Sequence, residues 1–204
     1  MRSWVALLAA VSALTLVAGC TSREPGTATA GPTSASSPQS TGSGSPPTTV
    51  EIPPPPKELT LDGIDPCTLF TPAQRAELKV DKVKTRYAEN SEAYKDMQEC
   101  VLDVTTQEPF LTYSALAVTD EDVSVWLTGN RNVDAKLISI DGYPAAQFSL
   151  KGTDTNCAIA VGVAKGQYIW AQMDPLSENP TYEDLCNAGK RTAEMALQTL
   201  QTLK

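Results

Sequence analysis

No histidine occurs among the 204 residues. That absence removes Ser-His and Cys-His nucleophilic catalysis, histidine general acid–base chemistry and histidine metal ligation together. None of the five cysteines forms a C-x-x-C pair, which excludes a thioredoxin-type redox couple and a zinc ribbon. The motifs G-x-S-x-G, S-x-x-K, G-x-G-x-x-G and G-K-[ST] are all missing, so neither a serine nucleophile nor a phosphate-cradling glycine loop stands out. Positive charge is scarce. From Glu58 onward there are 22 acidic and 13 basic residues, a net of −9. Such a domain is a poor nucleic-acid binder and is repelled by anionic lipid headgroups. The apolar run from Trp4 to Val17 is about fourteen residues, short of the ~20 needed to span a bilayer.

That run has a different use. Arg2 precedes it, and Val17-Ala18-Gly19-Cys20 ends it. A charged start, an apolar stretch and small residues before a cleavage point make a secretory signal. A cysteine directly after the small pair makes it a lipoprotein signal, because small neighbours let an enzyme reach the thiol. The expectation is a signal peptide over residues 1–19, cleaved to leave Cys20 as a lipidated N-terminus. Two acyl chains then hold the protein on the outer face of the plasma membrane. Export also implies an oxidising compartment for the other four cysteines.

Residues 21–57 hold nine Pro, fourteen Ser or Thr and four Gly, with Val50 and Ile52 the only bulky apolar residues. Such a segment cannot bury enough surface to offset its ordering entropy. Residues 20–57 are therefore read as the lipidated cysteine and a disordered tether. Its mean reach is about 35 Å as a flexible coil and roughly 120 Å fully extended.

The remaining stretch, 58–204, is the size of one domain with a real core. Asp65-Pro66 and Thr71-Pro72-Ala73-Gln74 read as helix starts, the second a capping box with Pro at the first position. A weak strand is predicted over 83–88, then strands over 98–104 and 110–118. A short helix follows from Asp120 to Thr128. Asp141-Gly142 between two apolar runs predicts a hairpin of 135–140 with 143–150. Lys165-Gly166 predicts a second, of 156–164 with 167–173. In its first arm Cys157, Ile159, Val161 and Val163 share one face, and Ala158, Ala160, Gly162 and Ala164 the other. Both faces look buried, so a central strand is expected, its small face admitting a helix closely. A final helix is predicted over 180–203, with Pro180 at its first position and an apolar stripe through Leu185, Ala188, Ala193, Leu197 and Leu200. The fold class is α+β: an antiparallel sheet built from hairpins, packed by a long C-terminal helix and short N-terminal helices.

Cys67, Cys100, Cys157 and Cys186 allow three pairings. Cys100 and Cys157 both fall on apolar strand faces, and Cys67 and Cys186 both fall in helical segments. Pairing like with like predicts two stapling disulfides, Cys100–Cys157 and Cys67–Cys186. The order of lipobox, Ser/Thr/Pro tether, Asp65-Pro66-Cys67-Thr68-Leu69-Phe70-Thr71-Pro72, strand cysteine, D-G hairpin, second strand cysteine and helix cysteine resembles a family of small actinobacterial lipoproteins classed as a domain of unknown function. The resemblance covers about residues 63–204, and D-P-C-x-L-x-T-P is its most specific part. It implies an actinobacterial cell envelope and carries over no catalytic residues.

Candidate sites are few. Asp120-Glu121-Asp122 lacks the spacing and glycine of a calcium loop and is read as a helix start. Tyr168, Trp170 and Gln172 share a strand face, read first as core or helix-covered surface and only second as the lining of a sugar or lipid groove. No cofactor and no metal site is expected. The functional expectation is a non-enzymatic module that binds an envelope protein or a small apolar ligand. Its rivals are a hydrolase using carboxylates alone and an accessory subunit with no pocket.

Overall fold

The computed structural model describes residues 50–88, 94, 96–178 and 180–204. The expected signal peptide, Cys20 and most of the tether lie outside the described residues. A 3-10 turn, Pro66–Leu69, comes first, capped by Asp65, whose side chain accepts from the Cys67 N–H. Helix α1, Pro72–Glu77, follows with the capping box in place: Thr71 and Gln74 each accept the other's backbone N–H. Seven strands come next: β1 (Lys82–Tyr87), β2 (Gln98–Val104), β3 (Leu111–Val118), β4 (Val133–Ile140), β5 (Tyr143–Leu150), β6 (Cys157–Ala164) and β7 (Gln167–Pro175). Helix α2, Tyr182–Leu203, closes the chain. Its cap is Thr181, in a second capping box with Asp184. Pro180 thus precedes the cap and does not occupy the first helical position, because the Thr181 hydroxyl and Asp184 carboxylate satisfy the free amides there. The helix expected from Asp120 to Thr128 is a single 3-10 turn, Val123–Trp126, capped by Asp122.

All seven strands form one antiparallel sheet in the order β1-β2-β3-β7-β6-β5-β4. The two meanders, β1 to β3 and β4 to β7, join where β3 pairs with β7. Asp141 and Gly142 turn the β4–β5 hairpin, both with positive φ. One face of the sheet carries the larger core, with Leu102, Ile159, Ile169 and Met173 fully buried. Leu185, Ala193, Leu197 and Leu200 of α2 cover it, together with Leu59, Leu69 and Phe70 from the N-terminal segment. The Leu59 N–H donates to the Val163 carbonyl at 2.9 Å, fastening that segment to β6.

β6 is central and buried on both faces, as its pattern implied. The two covers are distributed by size. A Cβ built on Gly162 would lie 2.8 Å from Val123 Cγ1, so the small face admits the 3-10 turn and not the long helix. Helix α2 lies on the larger face and gains its approach from its own Gly189, whose added Cβ would meet Ile159 Cγ1 at 3.2 Å.

The disulfides correct the expected pairing. Cys67 bonds to Cys100 and Cys157 to Cys186, with Cα–Cα separations of 4.9 and 5.1 Å. Like does not pair with like, because β2 and β6 are three strand spacings apart in the sheet. At ~4.8 Å per spacing that is about 14 Å, beyond disulfide reach. Each strand cysteine instead faces the covering layer and meets the cysteine above it.

Candidate functional site

The opposite face of the sheet carries a cleft of about 530 Å³, within the usual range for small-molecule sites. Strand register builds its floor. Directly opposed residues in an antiparallel sheet share a face. Arg86, Glu99, Leu116 and Trp170 therefore form one row across β1, β2, β3 and β7. Ser114, Gln172, Ala158 and Phe148 form the next, across β3, β7, β6 and β5. Asp174 stands beyond them on β7, and Asn156 just ahead of β6; both line the cleft. Trp126 and Tyr94 wall it.

The floor is divided by strand. Its charged and amide side chains stand on β1, β2 and β7 and at Asn156, and β3 adds the Ser114 hydroxyl. The part over β6, β5 and β4 is mainly apolar, lined by Ala158, Phe148, Leu150 and Val133, with Ser149 of β5 beside them. Trp170 sits between the two parts. Glu99, only 6% exposed, is neutralised by Arg86, whose Nε lies 2.7 Å from Glu99 Oε2. Asp174 accepts from Gln172 Nε2 at 2.8 and 3.0 Å. Burial pushes the Asp174 carboxyl above its ordinary range, and the nearby Glu99 charge adds to this. Donors from Gln172 and Asn156 and the charge of Arg86 only partly offset it.

The wall is held by a polar cluster. The Tyr94 and Tyr168 hydroxyls are 2.5 Å apart. Tyr168 donates to Glu121 Oε1 at 2.5 Å, and Arg131 donates to the Tyr94 hydroxyl at 3.1 Å and ion-pairs with Glu121. Burial first, and then the Glu121 carboxylate, push the Tyr168 phenol well up, so it stays protonated as a donor. The Arg131 guanidinium lies 4.1 Å over the Trp126 ring. Phe148 stacks on the same ring with centroids 3.9 Å apart. Two groups that close occupy opposite faces of the indole, so Trp126 is fixed by packing. Tyr94 also meets Trp170, with centroids 6.4 Å apart.

Asp120-Glu121-Asp122 divides its labour. Asp122 caps the 3-10 turn, accepting from the Ser124 N–H at 2.9 Å, and Glu121 joins the tyrosine cluster. Among the described residues, no group of three or more Asp, Glu, Cys or His is placed to hold a metal ion. Of the strand row singled out from sequence, Trp170 and Gln172 line the cleft. Tyr168 lies fully buried opposite Gly162, behind the wall, with its hydroxyl against that of Tyr94. Sequence reasoning missed Glu99, Asp174, Arg86 and Phe148. The period-two alternation places Asp174 on the face of Trp170 and Gln172, but the strand was expected to stop at Met173. The sequence carried no signal for which strands neighbour one another.

Residues 15–199 match the family described as Protein of unknown function (DUF3558). No curated protein and no solved structure matches the chain.

Proposed function

The chain belongs to the DUF3558 family, a family of unknown function, and on that footing we propose that it is a membrane-anchored binding module of the actinobacterial cell envelope, non-enzymatic, holding a small, largely apolar ligand in the cleft. The anchor in this reading is lipidated Cys20, with residues 21–57 as the spacer. Val17-Ala18-Gly19-Cys20 and the Ser/Thr/Pro composition support it. Disulfides between both strand cysteines and the covering layer are in keeping with an oxidising compartment.

The observation that carries the binding role is the cleft itself: concave, walled by the aromatic rings of Trp126 and Tyr94, apolar over much of its lining, with its charged and amide groups gathered towards one end. It favours a small ligand over an envelope-protein partner, which would ask for a flat exposed patch. Native mass spectrometry of the lipidated protein, taken from its own envelope under mild conditions, tests the reading. The expected result is a reproducible adduct that is lost in Trp170→Ala. A clean protein mass, or an adduct indifferent to Trp170→Ala, would overturn it.

A second reading, a hydrolase using carboxylates alone, draws on one observation. Glu99 and Asp174 both line the cleft, one neutralised by Arg86 and one held above its ordinary range. Two carboxyls in unlike environments are what acid and base roles need. That reading requires turnover of a glycoside that disappears in both Glu99→Gln and Asp174→Asn.

A further inference from the structure

The cleft is polar at one end and apolar at the other, and this division names a ligand class. Resting on the proposed binding role, we infer that the cleft takes an amphiphile with an uncharged, hydroxyl-bearing head over β1, β2, β3 and β7 and a short apolar body over β6, β5 and β4.

The charges in the lining decide the head. They are Arg86, Glu99 and Asp174. Two negative charges against one positive disfavour an anion. Arg86 and Glu99 neutralise each other at 2.7 Å, and Asp174 already accepts from Gln172, so a cation finds no wholly free counter-charge. Burying a full charge without one is costly. What the polar end does offer is a mixture of donors and acceptors: the Asn156 and Gln172 amides, the Ser114 hydroxyl and the Asp174 carboxyl. Hydroxyl groups both donate and accept, and a polyol matches such a mixture. Trp170 is half-buried at the boundary, where an indole face suits the C–H face of a sugar ring. At the other end Phe148, Ala158, Leu150 and Val133 are apolar, with Ser149 and the Trp126 indole N–H the polar groups among them, so a mainly hydrocarbon body suits it.

The test compares three compounds that share an octyl chain and differ only in the head: n-octyl glucoside, n-octylammonium and n-octyl sulfate. Each is titrated calorimetrically into the mature full-length protein below its micelle-forming concentration. The expected result is one-to-one binding of the glucoside, about tenfold tighter than either ion. Leu150→Asp, at an exposed position of the apolar end, should weaken glucoside binding about tenfold. Binding of n-octylammonium as tight as that of the glucoside, with loss in Asp174→Asn, overturns the uncharged head. Equal binding of all three chains, weakened by Leu150→Asp, also overturns the head assignment and leaves the cleft as a plain apolar site. Binding of none of the three overturns both this inference and the proposed function beneath it.

Discussion

Asp174 is the residue at which cleft and fold make opposing demands. Under the proposed function a carboxyl there serves a ligand, and it is costly to the domain, because burial raises its proton affinity in the folded state. The sign follows from linkage. A carboxyl whose folded pKa lies above its unfolded value carries a penalty that is full above the folded pKa and vanishes below the unfolded one, near pH 4. Asp174→Asn is therefore expected to raise the melting temperature at pH 7 and to leave it unchanged near about pH 3. Thermal unfolding at the two pH values checks this. A variant less stable at pH 7 would mean that the Gln172 and Asn156 donors outweigh the burial. Glu99 is the contrast, since Arg86 meets its charge directly. Neither residue was legible as part of a site. Glu99 reads from sequence as the polar side of an alternating strand, and its burial depends on β1 lying alongside with Arg86 in register. Trp170 and Gln172 were legible, because an aromatic and an amide two residues apart on an apolar strand need only the period of a strand to share a face.

Elements followed from local rules wherever local rules decide. The Thr71 capping box, the Asp141-Gly142 hairpin and the Lys165-Gly166 turn stand where their residues placed them, whereas the last helix starts from Thr181 and not from Pro180, and the helix expected over 120–128 is a single 3-10 turn. Information held between elements failed more widely. The disulfide partners depend on strand order, and no local pattern announces that β3 and β7 separate β2 from β6. The actual loops are also shorter, with sequence separations of 33 and 29. On the chain-entropy model each staple contributes about 3.6 kcal/mol. Replacing Cys157 and Cys186 together by Ala is expected to cost roughly 2–4 kcal/mol in denaturant unfolding, and a non-reducing peptide map should join Cys67 to Cys100. A map joining Cys100 to Cys157 would contradict the fold as described. The contact of the 3-10 turn with β6 gives a second test. Gly162→Ala is expected to cost about 1–3 kcal/mol, because Val123 Cγ1 leaves no room for the methyl. Val123→Ala in the same chain should recover much of that loss. Additive costs in the double variant would mean that the two sites do not touch.

For the whole molecule, the proposal is a domain held near a membrane but not by its own surface. Its net charge of −9 from Glu58 onward opposes contact with anionic headgroups, so in this proposal the attachment is assigned to an anchor at Cys20. Cys20→Ser is expected to leave the domain folded and to move the protein from the membrane fraction to the medium. Retention in the membrane would contradict a lipid anchor there. The fold class was readable because hairpin signals and one long amphipathic helix leave few alternatives. The cleft was not, because it arises from unequal cover. A 22-residue helix spans one face of the sheet, whereas among the described residues the other is covered in part by a single 3-10 turn and Tyr94, with Ile52 and Met97 packed beside them.

Trp4, Trp126 and Trp170 are the only tryptophans. Removal of the signal peptide would leave two, and both line the cleft. Their indole N–H resonances are thus built-in reporters of the site. The most direct measurement is an NMR titration of the mature protein with a lipid extract of its own envelope. Saturable shifts of both indole resonances, with the exposed face of α2 unmoved, are the expected result. Indole resonances that stay still while α2 or the edge strands respond would contradict a ligand in the cleft.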